Sequence, residues 1–220
     1  MECRPAGLLT GMLTVLCAHL AEGMPFVEHF GLDRCRHDSN LYSGDGVRLV
    51  LTGQGVDQCR ATLGRLFAAG PATPEDTWLN FGVAGYGGSA VDPRGVGQAA
   101  YAPGMLVWIH RVHYRAQSWT LTMQPPAGGD RSGPVIATGG CLRTVDTPET
   151  AFARPWLYDM EGAGIAGFLA SENRLSRLAI VKLVADGPGL SIREGVRLGR
   201  GLLAGNRDRI AGLGELLLGA

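Results

Sequence analysis

Residues Leu178–Val184 (LAIVKLV) form an almost continuous apolar run, and this run restricts the possible folds of the chain more than any other segment. A strand that is apolar on both sides needs cover on both faces, as in a parallel or mixed sheet between layers of helices. The run ends in Ala185-Asp186-Gly187-Pro188-Gly189, which is typical of a turn. We therefore expect an α/β protein.

Further strands and helices alternate along the chain, as an α/β fold requires. Runs of aliphatic and β-branched residues predict strands at Met12–Ala18, Val47–Leu51, Trp78–Val83, Met105–Val112, Ser118–Met123 and Pro134–Thr138. Helical spacing predicts helices at Val56–Phe67, Asp159–Ser171 and Ile192–Leu218, the last opened by the capping box Ser191-x-x-Glu194. The segments Pro125–Gly133 and Thr144–Phe152 have the composition of loops. We expect one domain, without internal repeats or a linker.

Composition and charge exclude several classes of protein. With 45% apolar and 18% charged residues in 220, the chain is globular rather than disordered. Its 34 glycines show no G-X-Y period, which excludes collagen. The formal net charge of zero argues against nucleic acid as a partner, because phosphate binding needs clustered positive charge.

The N-terminal run Gly7–Ala21 resembles the apolar part of a signal peptide, but it has His19 where a small residue should precede the cleavage site. It is also too short to span a membrane. We therefore interpret it as a buried first strand, with residues 1–11 as an extension, 12–220 as the domain and Met12 as a possible start. On this interpretation we expect no membrane partner and a cytoplasmic location.

The cysteines and histidines give no sign of a metal site. The chain has five cysteines, an odd number, and no C-x-x-C pair, which fits free thiols in a reducing compartment. His110 and His113 fall three apart in a predicted strand, so their side chains should point to opposite faces. We expect neither a disulfide framework nor a bound metal.

Three predicted strands end in glycine-rich or acidic turns, after Leu51, Val83 and Val184. Ligands bind at the carboxyl ends of strands in open α/β sheets, so these turns are candidates for one site. The turn Gly53-x-Gly55 is not a dinucleotide fingerprint, because the third glycine is replaced by Gln58. There is no Walker A loop and no G-x-S-x-G nucleophile elbow either.

Five segments resemble, in order and spacing, the nucleoside phosphorylase and nucleosidase superfamily, and within it the methylthioadenosine/S-adenosylhomocysteine nucleosidases. These segments are MLTVLCAHLAEGMPF, VLTGQGVDQCRATLGRLF, WLNFGVAGYGG, YDMEGAGIAGFLA and LAIVKLVADG. The resemblance covers nearly the whole chain from Met12. It implies a three-layer fold, in which helices flank a central mixed and twisted sheet, and an enzyme that cleaves the N-glycosidic bond of a purine nucleoside.

The resemblance also implies roles for individual residues. Asp186 would donate a proton or hydrogen bond to purine N7, which makes the base a better leaving group. Glu22 would orient or deprotonate the attacking water. Glu161 would accept hydrogen bonds from the ribose hydroxyls, and Met160 would pack against the sugar.

Glycine-rich turns complete the implied site, with Gly53 and Gly85 letting the backbone approach the substrate. Tyr86 departs from the family, which commonly has small residues in this turn, and it would either narrow the pocket or offer a stacking platform. Two further departures concern the region near the base. Ala185 stands where the nucleosidases usually have a hydroxyl, and the segment HRVHYRAQSWTLTMQPP does not match the usual base-binding segment.

Plainer interpretations of the carboxylates remain open at this point. Glu161 would also suit a first-turn carboxylate favoured by the helix dipole. Asp186 would suit a turn or N-cap residue, and Glu22 a solvated loop residue. A nucleoside-binding protein that has the fold but lacks catalysis is the rival from another class. A hydrolase of a modified nucleoside such as futalosine is a further alternative, suggested by the M-E-G-x-G run.

The choice between water and phosphate as nucleophile depends on arginines. The first-strand segment Cys17–Pro25 contains none, which favours hydrolysis. Arg111 and Arg143 could reach a phosphate from elsewhere, so phosphorolysis, with phosphate as co-substrate, is the alternative. We expect no other cofactor, and a homodimer or higher oligomer because related enzymes usually have a partner segment that closes the pocket.

Overall fold

The computed structural model describes residues 11–70, 73–87, 101–125, 136–149, 156–186 and 191–219. The strands are β1 (Leu13–Cys17), β2 (Asp33–Arg34), β3 (Leu41–Ser43), β4 (Val47–Leu51), β5 (Thr77–Tyr86), β6 (Leu106–Tyr114), β7 (Gln117–Thr120), β8 (Ile136–Thr144), β9 (Leu157–Asp159) and β10 (Leu178–Asp186). The helices are α1 (Leu20–His29), α2 (Val56–Ala69), α3 (Gly162–Ser171), α4 (Ile192–Gly205) and α5 (Arg207–Leu218), with a 3-10 turn at Leu175–Arg177. The expected α/β fold is confirmed.

The sheet is mixed and closes partly on itself. Strand β5 pairs in parallel with β1 and β10, and β10 pairs antiparallel with β6. From β6 the pairing continues in parallel to β8 and β9, and β9 returns antiparallel to β5. On the other side, β1 continues in parallel to β4, which is followed by β3 and β2.

One edge of β5 is shared between two strands, and this fork positions the cavity described below. β1 pairs with β5 over Thr77–Asn80, whereas β9 pairs with Gly85 and Tyr86. Between these two pairings, the backbone of β5 is therefore free to bond with side chains on this edge. The amide of Val83 lies in this stretch and donates a hydrogen bond to the side chain of Glu22.

The prediction that Leu178–Val184 is covered on both faces is confirmed. Side chains at even positions, such as Ile180 and Val184, join a core with α2 and α3. Side chains at odd positions, such as Val181 and Leu183, join a second core with α1, α4 and α5. Helices thus cover the sheet on both sides, giving three layers.

Among the differences from the sequence prediction, three concern helices. The sequence predicts a loop at Glu22, but this residue lies in the first turn of α1. The helix is not evident from the sequence because Gly23 and Pro25 are poor helix formers. A Cβ on Gly23 would lie 2.7 Å from the Leu49 side chain, so packing against β4 requires this glycine despite its low helix propensity.

The predicted helix Asp159–Ser171 begins later than expected, because Asp159 ends strand β9. The predicted final helix is broken at Asn206, where the backbone leaves helical geometry and the amide side chain donates to the Leu202 carbonyl. Its capping box at Ser191 and Glu194 is confirmed.

Several expectations fall wholly or partly outside the described residues. They concern the extension at residues 1–11, most of the loop Pro125–Gly133 and part of Thr144–Phe152. Among the described residues, Cys17, Cys35, Cys59 and Cys141 form no disulfide. Within the described ranges, no helix combines the length and the apolar character needed to cross a membrane.

Candidate active site

A cavity of about 640 Å³ opens at the carboxyl ends of β1, β5 and β10. This volume is typical of a small-molecule site. Its lining comes from the β1–α1 junction (Ala18, His19, Ala21, Glu22), the α2 entrance (Gln54), β5 (Val83, Ala84, Gly85), Val145, Pro148, Glu149, β9 and the start of α3 (Tyr158, Asp159, Met160, Glu161), Ala185, and α4 (Gly195, Val196, Gly199, Arg200, Leu203). The position agrees with the expected site at the strand ends.

Glu22 is held at the fork in the sheet by three backbone amides. Its Oε2 accepts from the amides of Ala18 and His19 at 3.0 and 3.1 Å, and its Oε1 accepts from the amide of Val83 at 3.0 Å. Only 6% of the residue is exposed. The solvated-loop interpretation of Glu22 is therefore wrong, because the carboxylate is buried and fixed on the cavity wall.

Glycine at position 82 is a requirement of this arrangement that the sequence did not reveal. A Cβ there would lie 2.9 Å from Oε1 of Glu22 and 3.5 Å from Nζ of Lys182. Any larger residue would displace the carboxylate. The space beside Gly82 thus faces both the carboxylate of Glu22 and the ammonium of Lys182.

Glu161 reaches the same cavity from the start of α3. Its Oε1 accepts from the amide of Gly55 at 3.1 Å, and its Oε2 accepts from the amide of Met160 at 3.3 Å. Burial raises the pKa of Glu161 to about 7, with a further contribution from the negative charge of Asp159. The side chain therefore changes its charge near neutral pH.

Two residues that the sequence analysis overlooked cap α3 in place of Glu161. Asp159 Oδ2 accepts from the amide of Gly162 at 2.8 Å, and Thr144 Oγ1 accepts from the amide of Ala163 at 2.9 Å. Thr144 Oγ1 also donates to Asp159 Oδ1 at 2.8 Å. Because these groups satisfy the first turn, the Glu161 carboxylate is left for the cavity, which argues against a simple helix-dipole role.

Lys182, the only lysine in the chain, is the buried cation of the site. Its side chain is 1% exposed, and Nζ lies 2.8 Å from Asp159 Oδ2. Burial lowers the pKa of Lys182, but the carboxylates of Asp159, Glu161 and Glu22 outweigh that effect and hold the pKa above its ordinary value. It interrupts an apolar strand, and that interruption was the only signal in the sequence.

Comparisons with known proteins found similar structures but no similar sequences. No family model and no curated protein matches the chain. Among solved structures, it matches a 5′-methylthioadenosine nucleosidase from Arabidopsis thaliana, with a TM-score of 0.67 and 18% identity over 94% of this chain and 93% of the other. This chain has the nucleosidase fold.

Two bacterial structures support the same assignment. The methylthioadenosine/S-adenosylhomocysteine nucleosidase from Colwellia psychrerythraea, in complex with adenine, gives a TM-score of 0.69 at 16% identity, over 95% of this chain and 96% of the other. The corresponding enzyme from S. pneumoniae, with a transition-state inhibitor, gives 0.66 at 16% identity, over 94% and 97%. The resemblance found in the sequence segments is thus confirmed at the level of the fold.

Of the other site residues predicted from the sequence, some line the cavity and others do not. Met160 and Gly85 line the cavity, and Met160 Sδ accepts from the amide side chain of Gln54 at 3.1 Å. Tyr86 does not line it, because neighbouring residues of a strand point to opposite faces, and its ring packs edge-on against Tyr101.

Gly53 lies on a separate polar cleft of about 440 Å³. Its φ of +75° suits glycine, and a Cβ would collide with the side chain of Gln58. Gly53 is therefore needed by the turn. Gly55, at φ +92°, is the glycine of this turn that serves the cavity, through its amide.

Asp186 ends β10, with its backbone paired to Gly85 of β5. The nucleosidase fold thus brings this position to the end of the strand that runs beside the cavity. The side chain of Asp186 lies outside the described part of the chain, so its predicted role as the acid stays a prediction.

Helix α4 forms a wall of the cavity that was not recognised in the sequence. Gly195, Val196, Gly199, Arg200 and Leu203 all line it. A Cβ on Gly199 would lie 3.5 Å from the Ala185 Cβ and 3.8 Å from the Val83 side chain. An alanine at position 199 would therefore make only ordinary contacts, whereas a larger side chain would enter the cavity.

Proposed function

We propose that this protein hydrolyses the N-glycosidic bond of a purine nucleoside. One observation carries the proposal. Glu22 and Glu161 lie far apart in the sequence, but both line one cavity, and backbone amides hold their carboxylates in place. The solved structures described above are nucleosidases, and the one from Colwellia psychrerythraea holds adenine. Their names support hydrolysis of an N-glycosidic bond and a purine as the leaving base.

In this mechanism, Glu22 orients the attacking water. Its three backbone donors hold the carboxylate still, so its remaining lone pairs can accept hydrogen bonds from a water molecule in the cavity. Because the carboxylate is already in place, little reorganisation is needed when the water attacks the anomeric carbon. Glu22 is then the base that accepts the proton of the water.

Glu161 accepts hydrogen bonds from the ribose hydroxyls, and Met160 packs beside the sugar. Bond cleavage develops positive charge on the ribose, so an ionised Glu161 stabilises the transition state more than the ground state. Asp186 donates a proton or hydrogen bond to purine N7, and general acid catalysis of this kind contributes about 10²–10⁴-fold.

The nucleophile in this proposal is water rather than phosphate. Neither Arg111 nor Arg143 is among the described residues that line the cavity, and the Arg143 guanidinium lies over the Trp156 ring. Arg200 on α4 does line the cavity, and it keeps phosphorolysis as the second candidate. Apart from phosphate in that case, no cofactor enters the reaction.

The test is a panel of purine nucleosides incubated with and without phosphate. We expect free base and free ribose without phosphate. Strict dependence on phosphate, with ribose 1-phosphate as product, would favour the second candidate.

A binding protein without catalysis is the remaining rival. Asp186→Asn and Glu161→Gln, each shown to be folded, should abolish base release if the chain is an enzyme. If the unmodified chain releases no base from any purine nucleoside while Asp186→Asn retains ligand binding, the chain is a binding protein.

The proposal includes a cytoplasmic homodimer or higher oligomer. Free thiols at Cys17 and Cys59 support a reducing compartment. Light scattering of the purified chain tests the oligomeric state, and a monomeric mass would contradict that part of the proposal.

A further inference from the structure

Asp159 is the centre of a network that the proposed reaction does not use directly. Its carboxylate accepts from the amide of Gly162 and from Thr144 Oγ1, and it pairs with Lys182 Nζ. All three contacts are 2.8 Å long, and Asp159, Thr144 and Lys182 are buried. The network therefore joins β8, β9 and β10 to the first turn of α3.

Glu161 is placed by that same turn. It occupies the N-cap position of α3, and its main chain is held between Asp159, two residues before it, and the amides of Gly162 and Ala163, which the network caps. A change in the network would therefore shift the position of the Glu161 carboxylate or change its ionisation. The ion pair is thus coupled to the cavity by two routes, one geometric and one electrostatic.

The electrostatic route involves groups on every element packed around Glu161. Asp159 on β9 and Glu22 on α1 carry negative charge, and Lys182 on β10 carries positive charge. Cys59 on α2 faces Glu161 as well, and burial raises its pKa to about 12, so the thiol stays neutral. The other charged or titratable groups that line the cavity are His19, Glu149, Tyr158 and Arg200.

We propose that Lys182 is the positioning residue of this site. Through Asp159 it fixes the first turn of α3, and its charge favours the ionised form of Glu161, which accepts hydrogen bonds from ribose hydroxyls. The inference rests on the proposed function for the role of Glu161. The positive charge of Lys182, paired with Asp159 and felt by Glu161 and Glu22, offsets part of the mutual repulsion of these carboxylates, which would otherwise favour protonation of one of them.

The test measures the titration of Glu161 directly and base release separately. The full chain is labelled with [δ-¹³C]glutamate, and the Glu161 resonance is assigned by its absence in Glu161→Gln. In Lys182→Met we expect the Glu161 midpoint to rise by about 1 pH unit or more, because the positive charge that lowers the pKa of Glu161 is lost. The low-pH limb of kcat/KM for base release should move in the same direction by the same amount.

Two further variants keep the test decisive. In Lys182→Arg, the Glu161 midpoint should stay closer to that of the unmodified chain than to that of Lys182→Met, because the positive charge is preserved. The double variant Asp159→Asn with Lys182→Met removes both charges, so it avoids an unpaired buried carboxylate and should return the midpoint towards that of the unmodified chain. If Lys182→Met does not fold, the double variant is compared with Asp159→Asn alone, in which the retained ammonium should hold the Glu161 midpoint below that of the double variant; equal midpoints would overturn the inference.

Arg115→Met is the matched control. Arg115 also pairs with a carboxylate, Asp146 at 3.2 Å, but both side chains are exposed. It should leave the Glu161 midpoint and base release unchanged. An unchanged midpoint in Lys182→Met, or an equal shift in Arg115→Met, would overturn the inference. Absence of base release from the unmodified chain, with the predicted midpoints, would instead overturn the proposed function.

Discussion

The amide of Gly55 donates a hydrogen bond to Oε1 of Glu161 across 3.1 Å, although 106 positions separate the two residues. Gly55 precedes α2 with a φ of +92°, in a region that L side chains rarely adopt. A turn that resembles an incomplete dinucleotide fingerprint thus has a different task here, which is to hold a carboxylate of the cavity.

We expect Gly55→Ala to lower kcat/KM for base release by about 10- to 100-fold, because a hydrogen bond to a charged group contributes roughly 1.5–3 kcal/mol. The strained backbone would turn the amide away from Glu161. Initial rates at saturating and limiting nucleoside measure the effect. The control is Gly64→Ala, inside α2 with open space around its Cβ position, which should keep full activity and gain about 0.5–1 kcal/mol of stability.

Gly82→Ala should abolish most base release while the chain stays folded. The added Cβ would lie 2.9 Å from Glu22 Oε1, so the carboxylate must leave the position in which Val83 holds it. A loss of about 10²-fold in kcat corresponds to a displaced base. Near-normal kcat with a native circular dichroism spectrum would show that Glu22 does not need this position.

Gly199 tests the α4 wall of the cavity. A Cβ at this position would make ordinary contacts of 3.5 and 3.8 Å, so Gly199→Ala should fold and change KM little. Gly199→Leu would fill part of the cavity and should raise KM by about tenfold or more, because added bulk in a packed site costs roughly 1–3 kcal/mol. Equal KM values for both variants would place the substrate away from α4.

Glu161→Gln should make the protein more stable in alkaline solution. The pKa of Glu161 is about 7 in the folded chain against an ordinary value of 4.5, so the folded state binds more protons between these values. The free energy of unfolding therefore falls as pH rises through this window. At pH 8 the variant should be about 1–3 kcal/mol more stable than the unmodified chain, and the difference should shrink by pH 5.

Urea unfolding followed by tryptophan fluorescence at pH 5 and 8 measures this difference. The control Glu172→Gln removes an exposed carboxylate at the other end of α3. It should not reproduce the pH-dependent gain. A gain of the same size for Glu161→Gln at both pH values would contradict a raised pKa as its cause.

Local patterns in the sequence were enough to predict the elements with a clear hydrophobic period. Val47–Leu51 coincides with β4, and the capping box at Ser191 begins α4, because burial period and capping are properties of neighbouring residues. The two faces of β10 followed from its continuous apolar run. The short strand β9 and helix α1 were missed because their patterns are too short or interrupted by glycine and proline.

The sequence by itself determined a three-layer α/β chain with Glu22, Glu161 and Asp186 at the ends of its elements. Only the tertiary structure decided that Asp159 caps α3, that Lys182 pairs with Asp159, and that Gly82 gives Glu22 its place. The physical reason is distance along the chain. A local pattern records whether a side chain is buried, but the partner of a buried charge depends on which strands the sheet brings together.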